Sequence, residues 1–115
     1  MGDAMRHMSF FYTQHQFHDR TKDVTRRLGW TFLKRGDLVQ GVLQVQGIKK
    51  GQRVKKLGVI RIKNVRFEPL YKITKNDVRR EGYPILDPKD FVLLFQRAMN
   101  CRHDVQVTRI EYEYV

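Results

Sequence analysis

Two strand-like segments of this chain change apolar phase partway along, and no other feature limits the fold as much. Between residues 57 and 67, Ile60 and Ile62 share one phase of an extended chain, whereas Val65 and Phe67 share the other. Between residues 105 and 114 the phase changes again, from Val107 to Ile110. Side chains alternate with period two in a strand, so a phase change means that a bulge reorients the strand or that both faces are covered. Either condition suits a small coiled barrel better than a flat sheet.

The other elements fit that architecture. The aromatic run Phe10-Phe11-Tyr12 makes residues 9–13 a short buried strand, followed by a turn or single helical turn over 14–20. Residues 24–28 suit an extended segment ended by Gly29. Lys34-Arg35-Gly36-Asp37 is a turn into a long strand over 38–47, with Val39, Leu43 and Val45 on one face. A Gly-bounded basic loop over 47–53 leads to the phase-changing strand. Thr74-Lys75-Asn76-Asp77 has the form of an N-cap with an acid at the third position, opening a short helix that Gly82 and Pro84 stop. Asp87-Pro88-Lys89-Asp90 places a capping Asp, a Pro at the first helical position and an acid in the first turn. Phe91, Leu94, Phe95 and Ala98 follow at helical spacing, which predicts a helix over 88–99. The expected class is α+β: a small β-barrel of about five or six strands with two helices and a cleft at its mouth.

At 115 residues the chain has material for one core. Residues 1–8 contain three methionines and no periodicity, so they suit a flexible leader and the single domain is expected over 9–115. No apolar run approaches the roughly 18 to 20 residues that span a bilayer, and the start lacks the apolar stretch of a signal peptide. A soluble, cytoplasmic, monomeric protein is expected. Cys101 stands alone, which fits a reducing compartment and an ordinary small residue at a helix end. His15-x-x-His18 has no third ligand nearby in sequence, so neither a metal nor another cofactor is expected.

Charge narrows the function. Residues 20–66 hold fourteen Lys or Arg against Asp23 and Asp37, while the rest of the chain has nine against ten, so the formal net charge of +11 belongs to one window. Its start, Arg20-Thr21-Lys22-Asp23-Val24-Thr25-Arg26-Arg27, interleaves cations with hydroxyls. A polyanion, a nucleic acid first of all, is the partner such a surface selects. Candidate contacts are Arg20, Lys22, Arg26 and Arg27, the loop cations Lys49, Lys50 and Arg53, and the rings of Trp30 and Tyr83. Plainer accounts are an edge strand kept soluble by its charge, a solvated loop and core aromatics.

The stretch Arg20-x-Lys22-x-x-Thr25-x-Arg27 resembles the Gly-x-Lys-x-x-Glu-x-Arg signature of ASCH domains, a branch of the PUA-like superfamily of small barrels associated with RNA. The resemblance continues through Gly36-Asp37, the turn Glu81-Gly82-Tyr83-Pro84, the helix around Asp90-Phe91 and the closing Val107-Thr108-Arg109-Ile110-Glu111, and covers the chain from Ser9 onward. It implies a PUA-like barrel that binds RNA or a nucleotide in a basic cleft. Arg20 stands where the family usually has Gly, so a positive φ there would fall on a residue with a side chain. Thr25 stands where many members have Glu. A branch that hydrolyses N4-acetylcytidine also carries Lys-x-x-Thr-x-Arg, with a catalytic Lys, Thr and distant Glu that the resemblance places on Lys22, Thr25 and Glu81. The family would also admit a nuclease, but no acidic metal cluster is visible in the sequence.

Amide hydrolysis needs a nucleophile, a base and donors to the developing oxyanion. Like charges on Arg20, Arg26 and Arg27 are expected to lower the pKa of Lys22 towards a usable base. Thr25 would be the nucleophile or orient water, and Glu81 would shuttle a proton. Arg27 is the natural donor to a phosphate or a pyrimidine carbonyl. The plain account of Glu81, which follows Arg79 and Arg80, is a surface ion pair. Two classes of function stand: first a binding module for RNA or a modified nucleotide, then a small amidohydrolase. Both need the cations before Phe67 to gather round one opening, with Lys22, Thr25 and Arg27 at its lip.

Overall fold

Five strands, β1 (Arg6–Ser9), β2 (Val24–Arg27), β3 (Leu38–Val42), β4 (Lys56–Pro69) and β5 (Gln106–Tyr114), form one sheet in the computed structural model, which describes residues 5–45 and 47–115. Their order is β1-β3-β4-β5-β2, with β1 parallel to β3 and the other pairs antiparallel. Three helices, α1 (Gln14–His18), α2 (Lys75–Arg80) and α3 (Pro88–Met99), and two single-turn 3-10 helices, Phe11–Thr13 and Leu70–Lys72, complete the α+β fold. The sheet curls into a half-barrel whose two edges are β1 and β2.

The two phase changes have different causes. In β4 the register slips between Ile62 and Asn64, so Lys63 is an extra residue opposite the step from Tyr112 to Glu111. This bulge turns the strand over. In β5 Val107, Thr108, Arg109 and Ile110 are all buried, so both faces are covered. Ile110 and Tyr112 pack with Met8, Phe10, Phe17, Val39, Ile60 and Ile62 inside the curl. Val107, on the other face, packs with Leu70, Ile73, Val78, Phe91 and Phe95 beneath the helices.

Helix α3 spans the residues its caps predict. The Asp87 side chain accepts from the backbone of Asp90 while Asp90 Oδ2 accepts from the Asp87 N–H at 3.1 Å, and Asn100 ends the helix at φ 50°. Thr74 Oγ1 likewise accepts from the Asp77 N–H at 3.1 Å to start α2.

Three expectations are corrected. Residues 6–8 are part of the folded domain, not a leader: β1 pairs from Arg6 with Val39 to Ser9 with Val42, and Met8 is fully buried. A four-residue strand with one fully buried apolar side chain is too short to show periodicity. Residues 1–4, assigned to the same leader, lie outside the described residues. The aromatic run is therefore not a strand. Phe10 is buried, whereas Phe11 and Tyr12 stand exposed on a 3-10 turn. Finally, β3 stops at Val42, where the register slips opposite Gly58 and Lys56, and Val45 is exposed.

No helix among the described residues is long and apolar enough to cross a membrane.

Candidate functional site

A hollow of about 400 Å³ takes its lining from both edges of the sheet: Ser9 and Phe10 where β1 ends, and Thr25, Arg26 and Arg27 on β2. Helix α3 adds Phe91, Leu94, Phe95 and Ala98, the segment after α2 adds Glu81 and Tyr83, and Lys22 completes the polar part. Most of the wall is apolar.

The turn before β2 makes this convergence possible. In a straight strand Lys22 and Thr25 would face opposite ways. Arg20 instead adopts φ 60°, and the turn that follows is pinned by hydrogen bonds from Asp23 N–H to Arg80 O and from Tyr112 N–H to Asp23 O, each 3.0 Å. The Tyr114 hydroxyl donates to Lys22 O. Arg20 thus holds the left-handed conformation at the signature's glycine position, at a cost of about 1–2 kcal/mol. Its guanidinium lies 5.3 Å over the Tyr114 ring, outside the hollow.

Lys22 is 2% exposed. Its Nζ donates to Glu81 Oε1 at 2.7 Å, to Val24 O at 2.8 Å and to Glu81 O at 3.0 Å, so all three ammonium protons have acceptors. Burial pushes the Lys22 pKa down and Glu81 pulls it back up, while repulsion from Arg27 and Arg26 contributes least. The lowering comes chiefly from desolvation, with Arg27 and Arg26 adding a smaller part and Arg20 none. Glu81 is a buried partner, not part of a surface ion pair.

Arg26 and Arg27, adjacent in sequence, have different fates. Arg26 is enclosed by carboxylates, with Asp77 Oδ2 at 2.6 Å, Glu68 Oε2 at 3.0 Å and Glu81 Oε2 at 3.4 Å. Arg109 Nε adds a 2.7 Å contact to the same Asp77 oxygen. This network beneath the hollow consumes Arg26. Arg27 has no carboxylate within ion-pair distance among the described residues. Its Nε donates to Thr25 Oγ1 at 3.2 Å, its guanidinium sits 4.9 Å over the Phe10 ring, and burial lowers its pKa to about 10.

Of the residues singled out from sequence, Lys22, Thr25, Arg26, Arg27, Glu81 and Tyr83 line the hollow. Arg20, Trp30, Lys49, Lys50 and Arg53 do not; the last three lie along an exposed loop. The cations of the basic window therefore do not gather round one opening, although Lys22, Thr25 and Arg27 do share one. The walls of the hollow are not legible in the sequence. Phe91, Leu94 and Phe95 have the spacing of a core stripe, and only the partial exposure of Leu94 shows that α3 also faces an opening. Among the described residues no group of three or more His, Cys, Asp or Glu is placed to hold a metal.

No protein-family model and no curated protein matches the chain. Solved structures do. The chain is 14% identical to protein EF3133 from Enterococcus faecalis V583, described by the family model DUF984, at a TM-score of 0.70 over 100% of this chain and 78% of that one. The hypothetical protein PH0355 matches at 14% identity and a TM-score of 0.66, over 96% of this chain and 97% of that one. An ASCH domain from Lactobacillus crispatus JV V101 matches at 14% identity and a TM-score of 0.65, over 96% and 79% of the two chains. The fold is ASCH-like. Within this ASCH-like fold, the segment that resembles the family signature is the Arg20 turn together with β2, and its side chains line the hollow described above.

Proposed function

We propose that this ASCH-like domain binds RNA by taking one base or modified nucleoside into the hollow between the sheet edges. Arg27 carries the reading. A half-buried guanidinium without a carboxylate partner is partly stripped of water and gains most when a ligand supplies the acceptor. A phosphate oxygen or a pyrimidine carbonyl does so with good geometry. The surrounding wall is mostly apolar, with Phe10, Tyr83 and Phe91 among its residues, and suits a flat heterocycle, while Arg97 on α3 adds a second cation with no carboxylate partner among the described residues. The net charge of +11 favours encounter with a polyanion.

The test is fluorescence anisotropy with a labelled octamer of cytidylate over a range of salt. Micromolar binding is expected, with a log-log salt slope of about −0.7 for each phosphate contacted. Arg27→Ala should weaken it by about tenfold or more. Unaltered affinity in that variant would remove the basis of the proposal.

The convergence of Lys22, Thr25 and Glu81 favours a second reading, hydrolysis of an N4-acetylcytidine-type amide. Lys22 Nζ would pass a proton to Glu81 Oε1, and the neutral amine would take the proton of Thr25 or of a water attacking the acyl carbonyl. The C–N bond would then break, the Lys22 ammonium giving its proton to the leaving amine, and where Thr25 had attacked, a water would cleave the acyl-Thr25 ester and restore the hydroxyl. This reading stands second because every Lys22 proton is already donated and no hydrogen bond joins Lys22 Nζ to Thr25 Oγ1 among the described residues. Incubation with N4-acetylcytidine decides it. Turnover abolished in both Lys22→Ala and Thr25→Ala would place hydrolysis first.

A further inference from the structure

A second hollow, about 480 Å³ and more open, is lined by Arg6, His7, Leu28, Trp30 and Phe32. Arg6 and His7 belong to β1, and Leu28 follows β2 directly, so the same two sheet edges build both hollows. The first uses Ser9 and Phe10 against Thr25 and Arg27. The second uses Arg6 and His7 against Leu28 and Trp30. Three residues of extended chain, about 10 Å, separate Arg6 from Ser9 on one edge and Thr25 from Leu28 on the other. The hollows are consecutive along one gap.

We infer that the second hollow is a stacking subsite for the nucleotide adjacent to the one held in the first, so that the ligand is a single-stranded nucleic acid and not a free nucleoside. The inference rests on the base-binding reading of the first hollow. Three observations carry it. Trp30 and Phe32 lie 5.5 Å apart, and Phe32 is 47% exposed, which leaves aromatic surface for a base. Trp30 adopts φ 57° directly after Gly29 at φ 78°. A bulky residue in the left-handed region is strained, and such strain is concentrated where a side chain must be presented. The Arg6 guanidinium lies 4.1 Å over the Phe32 ring and has no carboxylate partner among the described residues, so this hollow, like the first, has a cation free for a phosphate. Aromatic faces beside unpaired cations match single-stranded nucleic acid, and a chain this basic selects a polyanion over an apolar peptide.

Trp30 is the chain's one tryptophan, so its emission reports this hollow alone. The probes are an unlabelled cytidylate octamer and cytidine 5′-monophosphate. The octamer should quench Trp30, whereas the monophosphate should bind, by calorimetry, and leave the emission unchanged. Trp30→Ala and Phe32→Ala should each weaken octamer binding about 5- to 150-fold and alter monophosphate binding less than about twofold. Arg27→Ala should weaken both. Phe32→Ala, on an exposed ring, keeps the test open where Trp30→Ala does not fold. Octamer binding with unchanged Trp30 emission and unaltered affinity in Phe32→Ala would eliminate the subsite and leave the first hollow's reading intact. Absence of binding by both probes would eliminate both.

Discussion

Lys22 Nζ lies 2.7 Å from Glu81 Oε1, with the two side chains only 2% and 4% exposed. Removal of either partner leaves a buried charge short of its nearest counter-charge, Lys22 more so than Glu81, which keeps Arg26 at 3.4 Å. A broken buried pair typically costs about 3–5 kcal/mol. Lys22→Met and Glu81→Met are each expected to lose that much in urea unfolding, whereas the double variant should recover most of it. Additive losses in the double variant would show that the two residues stabilise the fold independently.

Acid should destabilise the fold through Asp77. Burial alone would raise its carboxyl pKa, but hydrogen bonds from Arg109 and Arg26 hold it well below the usual range. A depressed carboxylate contributes fully above its unfolded value of 3.8 and loses that contribution as pH falls towards the folded value. Urea midpoints should therefore hold above about pH 5 and fall steadily below about pH 4. Asp77→Asn should flatten that acid limb while costing about 3–5 kcal/mol at neutral pH, since it leaves Arg26 and Arg109 short of a counter-charge.

Arg20→Gly should raise stability. The left-handed backbone at φ 60° costs an L-residue about 1–2 kcal/mol, of which glycine's greater unfolded-state freedom returns roughly 0.5–1. The expected net gain is about 0.5 kcal/mol, read as a higher urea midpoint. A loss would show that the contact between Arg20 and Tyr114 outweighs the strain.

Gly41→Ala should do the opposite. A Cβ at this position would meet Phe17 Cζ at 2.6 Å and Cε2 at 2.9 Å, and Phe17 is itself buried among Phe10 and Tyr112. Overpacking of this kind costs about 1–3 kcal/mol. Phe17→Leu in the same background should restore part of the loss, which thermal unfolding would measure.

Legibility in the sequence followed the range of the forces involved. Helix α3 was readable to the residue because Asp87, Pro88 and Asp90 act on their immediate neighbours. The reorientation of β4 was readable because a bulge must change the phase of Ile60 and Ile62 against Val65 and Phe67. Strand β1 was hidden because Met8 alone marks it as core. Within the site, Lys22, Thr25 and Arg27 were close enough in sequence to be considered together, but Glu81, 59 residues from Lys22, was reached by resemblance alone. The charged neighbours of Lys22 are visible in the sequence, whereas burial, the main cause of its lowered pKa, is not. Arg26 and Arg27 show the same limit. Alternation places them on opposite faces, yet only the positions of Asp77 and Glu68 reveal which one is already paired.

Strand β2 has a single neighbour in the sheet, β5, on which Thr25 lies opposite Ile110 and Arg27 opposite Thr108. On the ribosome, β1, β3 and β4 can assemble long before β2 has anything to dock against. A product interrupted before Gln106 would lack the only strand that seats Thr25 and Arg27 among the described residues, so both ends of the chain must be made before this edge can form.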